Sequence, residues 1–180
     1  MENNYIEKNF MRYLVISSDI NEHLPILWLL AGACNHVTEL GVRTMVSSWA
    51  FLLGLMNRKG KLVSVDIKFP EEYGSTSIKE VVEECEKLGV EFQFKKESSL
   101  DIELEPTDLL FIDTLHFKEQ LTKELELHGD KAKKYIILHD TESCKDELVP
   151  VIEEFLEKNK QWSRLAVYYN NNGLIILKHE

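Results

Sequence analysis

Four carboxylates stand where strand-like apolar runs end: Glu39 closing the run 36–40, Asp66 after 61–65, Asp113 after 107–112 and Asp140 after 135–139. Several acidic strand ends meeting at one crevice repel each other and are costly unless a ligand or metal ion sits among them. His116 follows Asp113 by three residues and His139 precedes Asp140, so these four side chains form a carboxylate–imidazole cluster. A histidine with an ordinary pKa near roughly 6.5 can take a proton at neutral pH. A second pattern lies upstream. Glu39 is followed by Gly41 and, at once, by a helical apolar period at Val46, Trp49, Ala50 and Leu53. A glycine in such a turn lets the backbone approach a ligand, and the helix start offers unpaired N–H groups. A carboxylate ending the neighbouring parallel strand, here Asp66, can take both hydroxyls of a ribose. This is the arrangement of a nucleotide pocket.

The elements that would position these groups alternate along the chain. Residues 1–35 read as a helical leader: Ile6, Phe10, Tyr13 and Leu14 recur at helical spacing, and a second helix runs 24–34 with Pro25 in its first turn. This leader is expected chiefly to pack on one face of the sheet, a lid over the pocket being the other option. A helix over 77–88 carries the stripe Ile78, Val81, Val82, Cys85, Leu88 and stops at Gly89. Strands follow at 90–94 and 107–113, a helix at 117–128, a strand at 135–139, and a helix capped by Ser143 with Pro150 near its start. Runs 165–169 and 174–178, joined by Asn170-Asn171-Asn172-Gly173, read as an antiparallel hairpin. Alternating strands and helices imply an α/β domain with a mostly parallel sheet and right-handed crossovers.

With Glu39-x-Gly41, Ser47 and Asp66 in place, the chain resembles the class I S-adenosylmethionine-dependent methyltransferases over about residues 37–180. The resemblance implies one Rossmann-like domain spanning 1–180, with a mostly parallel seven-stranded sheet, helices on both faces and a C-terminal antiparallel hairpin. It also implies that Glu39, Gly41 and Ser47 cradle the methionine part of the cofactor, that Asp66 holds its ribose, and that Ser98, Ser99 or Leu100 line its adenine. Arg43 and Met45 stand where the family's later glycines would be, and a side chain at Met45 is expected to crowd the cofactor. The segments Phe111-Ile112-Asp113-Thr114-Leu115-His116 and Ile137-Leu138-His139-Asp140-Thr141 resemble the metal-dependent sugar O-methyltransferases and the cephalosporin-hydroxylase-like and rhamnosyl methyltransferase group. That likeness implies Asp113 as a magnesium ligand, His116 as general base and Asp140 as a further ligand. His139 stands where the family's adjacent carboxylate would be and is the remaining candidate ligand; Glu142 or water could complete the set. His139 is otherwise expected to hydrogen-bond within the sheet rather than act on substrate. The function implied is methyl transfer to a hydroxyl of a sugar or other small molecule, helped by a divalent ion that lowers the hydroxyl's pKa.

Composition narrows the alternatives. The chain has 180 residues, 44% hydrophobic and 29% charged, which suits one globular domain. A net charge of −10 argues against a nucleic-acid partner. Three scattered cysteines, no basic-apolar start and no apolar run long enough for a bilayer point to a cytoplasmic protein without membrane contact. Two other functions compete: a methyltransferase-like domain that binds without catalysing, and an NAD-type Rossmann oxidoreductase. The second lacks a GxGxxG turn and leaves no residues for a separate substrate domain. Nothing in the pattern identifies the acceptor or the oligomeric state.

Overall fold

The computed structural model describes residues 4–180; the first three residues of the leader, and with them part of the polar start read above, lie outside the described residues. Among the described residues seven strands form one sheet: β1 (His36–Leu40), β2 (Lys61–Asp66), β3 (Glu91–Lys96), β4 (Thr107–Ile112), β5 (Ala132–His139), β6 (Trp162–Tyr168) and β7 (Leu174–His179). Their spatial order is β3-β2-β1-β4-β5-β7-β6. β1 to β5 are parallel, and β7 runs antiparallel between β5 and β6. The chain builds outward from β1 to β3, then returns to place β4 on the other side of β1. The strand order therefore reverses between β1 and β4, where open α/β sheets leave a crevice at their carboxyl ends.

Period-two alternation divides the core into two layers. Val37, Leu62, Leu109, Phe111, Ile137 and Ile176 pack beneath α1 (Tyr5–Val15), α2 (Leu24–Ala31), α3 (Val46–Met56) and α4 (Ile78–Leu88). Leu40, Val63, Leu110, Ile136, Leu138 and Leu177 pack beneath α5 (Lys118–His128) and α6 (Lys145–Lys158). The leader packs on one face of the sheet. α1, held by a capping box between Asn4 and Glu7, buries Ile6 and Phe10 against this core, while Asp19 and Ile20 reach the rim of the crevice. Among the described residues no helix is long and apolar enough to cross a membrane.

Several local expectations need correction. α2 stops at Ala31 rather than Cys34, because the chain tightens into i→i+3 bonds from Ala33 to Leu30 and from Cys34 to Ala31. Ser143 does not cap α6. The helix begins at Lys145 without a side-chain cap, and the Ser143 hydroxyl donates to Asp140 Oδ1 at 2.7 Å instead. Pro150 lies in the second turn of α6. Met45 does not crowd the crevice. It takes a left-handed conformation, φ 68°, at the N-cap of α3, and its side chain is fully buried in the core beneath α1–α4.

Met45→Gly therefore tests packing rather than ligand access. Truncating a buried methionine costs about 2–5 kcal/mol, and relief of the left-handed conformation returns about 1–2 kcal/mol. The variant is expected to lose about 2 kcal/mol of stability, within a range of about 0–4 kcal/mol, read as a lower urea midpoint at unchanged slope.

Candidate active site

The ends of three adjacent strands are knit together before any side chain is considered. The Asp113 N–H donates to Leu40 O at 2.8 Å, and the Gly41 N–H donates to Val65 O at 2.9 Å. Gly41 has φ +85°, and a Cβ there would overlap the carbonyl oxygen of Asp113. The glycine thus serves a backbone-to-backbone approach between the β1 turn and the end of β4. The turn is fastened from β2: Asp66 Oδ2 accepts the N–H groups of Val42 and Arg43 at 2.8 and 2.9 Å, and Oδ1 accepts that of Lys68 at 3.0 Å. α3 then starts with no capping side chain, so its first N–H groups, at Val46 and Ser47 on the crevice wall, are available to a ligand.

The crevice is a cavity of about 310 Å³ at the carboxyl ends of the strands, within the size range of small-molecule sites. Its lining brings together Gly41, Ser47, Asp66, Ser98, Asp113 and Asp140, with His116 at the same end as the last two. Two expected cofactor contacts are not on the wall. Leu100 falls outside the lining. Glu39 is fully buried on the α3 side of the sheet, where alternation directs it, and there it accepts three hydroxyls: Ser47 at 2.5 Å, Ser48 at 2.7 Å and Ser64 at 2.6 Å. It joins β1, β2 and the first turn of α3 from below. Burial pushes its carboxyl up, against the pull of the three donated hydroxyls, to about 7.

The carboxylate–imidazole cluster is assembled. His116 Nε2 lies 2.9 Å from Asp140 Oδ2 and 3.4 Å from Asp113 Oδ1. His139 Nδ1 lies 3.2 Å from Asp140 Oδ2 and 3.3 Å from Asp113 Oδ1. His139 Nε2 faces two backbone carbonyls, Asp19 at 3.1 Å and Asn171 at 3.2 Å. A ring whose neighbours are all acceptors carries protons on both nitrogens. His116 is pushed up to about 10 by its bonds to Asp113 and Asp140. Burial disfavours charge on His139, yet the same two carboxylates push it to about 10 as well. Asp113 and Asp140 resist the effect of burial and are held below the usual carboxylate range by the two imidazoles.

Asp113, His139 and Asp140 each offer one ligand atom, all within 4.8 Å of one another. The donor set fits a divalent cation. With Nε2–H donated to a backbone carbonyl, the ring is oriented so that Nδ1, once deprotonated, is the ligand atom. Two oxygens and one nitrogen suit a borderline first-row cation as well as magnesium.

Two supports escaped the sequence. Asn170-Asn171-Asn172 does more than turn a hairpin. Asn172 Nδ2 donates to Asp140 Oδ1 at 2.9 Å, Asn171 Nδ2 to Ser18 O at 2.7 Å, and Asn170 O accepts from His23 at 3.2 Å. The leader supplies Asp19, whose carboxylate receives Arg43 Nη2 at 2.7 Å across the mouth of the crevice. Three successive asparagines exceed what a hairpin turn needs, and that surplus was the available signal.

No family model matches the chain, and no curated protein matches it. Solved structures do. The methyltransferase PaMTH1 of Podospora anserina, bound to SAH, is similar at 12% identity and TM-score 0.68, over 99% of this chain and 89% of that one. An O-methyltransferase of Bacillus cereus in complex with SAH is similar at 15% identity and TM-score 0.68, over 100% and 92%. The O-methyltransferase TomG of Streptomyces achromogenes, involved in tomaymycin synthesis and bound to SAM, is similar at 16% identity and TM-score 0.58, over 99% and 91%. At these identities the likeness is one of fold alone: a Rossmann-like α/β domain with a mostly parallel seven-stranded sheet and an antiparallel terminal hairpin.

Glu39 makes the latch beneath α3 sensitive to pH. Its carboxyl ionises near 4.5 when unfolded and at about 7 when folded, so the folded state binds the proton more tightly. The stability this contributes is complete below pH 4.5 and is lost as pH rises to about 7. Relative to Glu39→Gln, which is neutral throughout, wild type should lose stability across that window, as read by urea unfolding at a series of pH values. Parallel curves for the two proteins would contradict the assignment.

Proposed function

We propose that this protein is an S-adenosylmethionine-dependent O-methyltransferase acting on a hydroxyl of a small molecule, and that Asp113, His139 and Asp140 hold a divalent cation. The observation that carries the reading is that one cavity joins the Gly41 turn and Asp66 to the Asp113–His116–Asp140 cluster. The α3 N-terminus and Ser47 suit the carboxylate of the cofactor's methionine part, and Asp66 Oδ1, which among the described residues accepts only the Lys68 N–H, suits a ribose hydroxyl. Glu39 acts beneath the turn, holding Ser47 in place. The fold of the similar structures supports the same reading. A sugar is one acceptor class to test. The crevice also presents Ile67, Tyr73 and Leu115, which would contact an apolar face of whatever acceptor enters.

The sulfonium of the cofactor supplies a methyl group already activated for attack, and a divalent cation would supply the positive charge that makes a hydroxyl acidic. The residues do the rest. With no cation, His116 keeps its proton because Asp113 and Asp140 stabilise the charged ring, and a ring protonated at neutral pH is no base. Once those carboxylates are neutralised otherwise, His116 Nε2 would be free to take the proton of the acceptor hydroxyl. Asn172 and Ser143 fix Asp140, so its second oxygen stays directed at the cluster.

The test separates the two ends of the crevice. Asp66→Ala should weaken cofactor binding by roughly tenfold to a hundredfold, since hydrogen bonds to a charged group are worth about 1.5–3 kcal/mol. His116→Ala should leave cofactor binding intact and slow turnover by about 10²–10⁴. Chelation should suppress turnover while calorimetry still detects the cofactor. Full turnover in chelator would remove the cation from the mechanism, and full turnover of His116→Ala would remove the base.

A further inference from the structure

Behind the crevice wall lies a carboxylate that neither the glycine turn nor the imidazole cluster uses. Glu124, on α5, is fully buried. Its Oε1 accepts three bonds: from Ser99 Oγ at 2.6 Å, Thr114 Oγ1 at 2.7 Å and Gln120 Nε2 at 2.8 Å. Its Oε2 has no partner among the described residues. A buried carboxylate with one bare oxygen is costly to keep. The three groups it gathers come from the loop after β3, the loop after β4 and α5 itself, and all three line the crevice.

The consequence falls on Gln120. Its Nε2 donates to Glu124 Oε1 and, at 3.0 Å, to Ser99 Oγ. A carboxylate can only accept, so the amide cannot turn over. The nitrogen is held within the wall, and the amide oxygen, unpartnered among the described residues, is left for a ligand. This wall begins beside the proposed ribose site, since the Glu97 N–H donates to the carbonyl of Asp66 at 3.0 Å.

We propose that Gln120 reads the base of the cofactor. Its amide oxygen accepts a hydrogen bond from the exocyclic amine of a 6-aminopurine, and it disfavours a 6-oxopurine, whose own acceptor would face it. Glu124 is the positioning residue that locks the amide in this sense. The inference rests on the cofactor reading given above and adds the group that selects the base.

Isothermal calorimetry with S-adenosylhomocysteine and its 6-oxo analogue, S-inosylhomocysteine, tests it. Wild type should prefer the adenosyl compound by about tenfold or more. Gln120→Leu, on a half-buried helix position, should lose about tenfold in adenosyl affinity while keeping its inosyl affinity, so the preference collapses. Glu124→Gln, whose amide no longer dictates the orientation of Gln120, should lower the same ratio. A role for Glu124 in structure alone would weaken both compounds equally, and that result would overturn its positioning role. An unchanged preference in Gln120→Leu would overturn the inference and leave the cofactor reading standing. A wild-type chain that binds neither compound would overturn both.

Discussion

A missing Cβ governs the site. Gly41 lets the turn after β1 lie directly on the carbonyl of Asp113, with the Asp113 N–H on Leu40 and the Gly41 N–H on Val65. Any side chain there would drive β1 and β4 apart at the point where the strand order reverses. The separation would carry Asp66 and the turn it clasps, on the β2–β1 side, away from Asp113 and His139 on the β4–β5 side. Glu39 works from underneath to the same end, its three hydroxyl bonds tying β1, β2 and α3 into one unit. The Gly41–Asp66 end and the Asp113–Asp140 end of the crevice are therefore coupled by backbone, and their spacing does not depend on flexible side chains.

The second constraint is charge. Asp113 and Asp140 meet at one place, and without opposite charge they could not both remain ionised. Two imidazoles meet that need, and every other polar neighbour serves to aim them. Asn172 and Ser143 occupy one oxygen of Asp140, and carbonyls from the leader and the hairpin loop take the far nitrogen of His139. The backbone accepts strain to do this. Asp140, Asn171 and Asn172 all have positive φ, at 57°, 48° and 67°. Left-handed non-glycine residues concentrated around one cluster are held there by the bonds they make possible. The leader belongs to the site for the same reason, through Asp19 and His23.

The fold was largely legible. The helix stripes, the acidic strand ends, the glycine turn and the hairpin are local patterns of period 3.6 or 2, set by which side chains must leave water, and the strands overlap the runs those patterns marked, with β5 and β6 each beginning three residues earlier. The carboxylate–imidazole cluster was legible as residue types at strand ends, because in a parallel sheet strand ends share one edge. The errors came where direction mattered. Met45 and Glu39 sit in the turn region by sequence, but the pleat and the left-handed turn send both side chains into the core.

Sequence alone thus determined the architecture and which chemical groups reach the crevice, since burial of apolar faces is dictated by order along the chain. Tertiary structure decided how those groups are used. The protonation of His116 and His139 follows from two carboxylates contributed by different strands. The conversion of an asparagine turn into a clasp follows from a leader some 150 residues away in the chain. The locked amide of Gln120 follows from Glu124, a polar residue buried beside Leu121 and Leu125 of α5. Each depends on acceptors and donors brought together from distant segments, and hydrogen-bond direction and local electrostatics exist only once those segments have met.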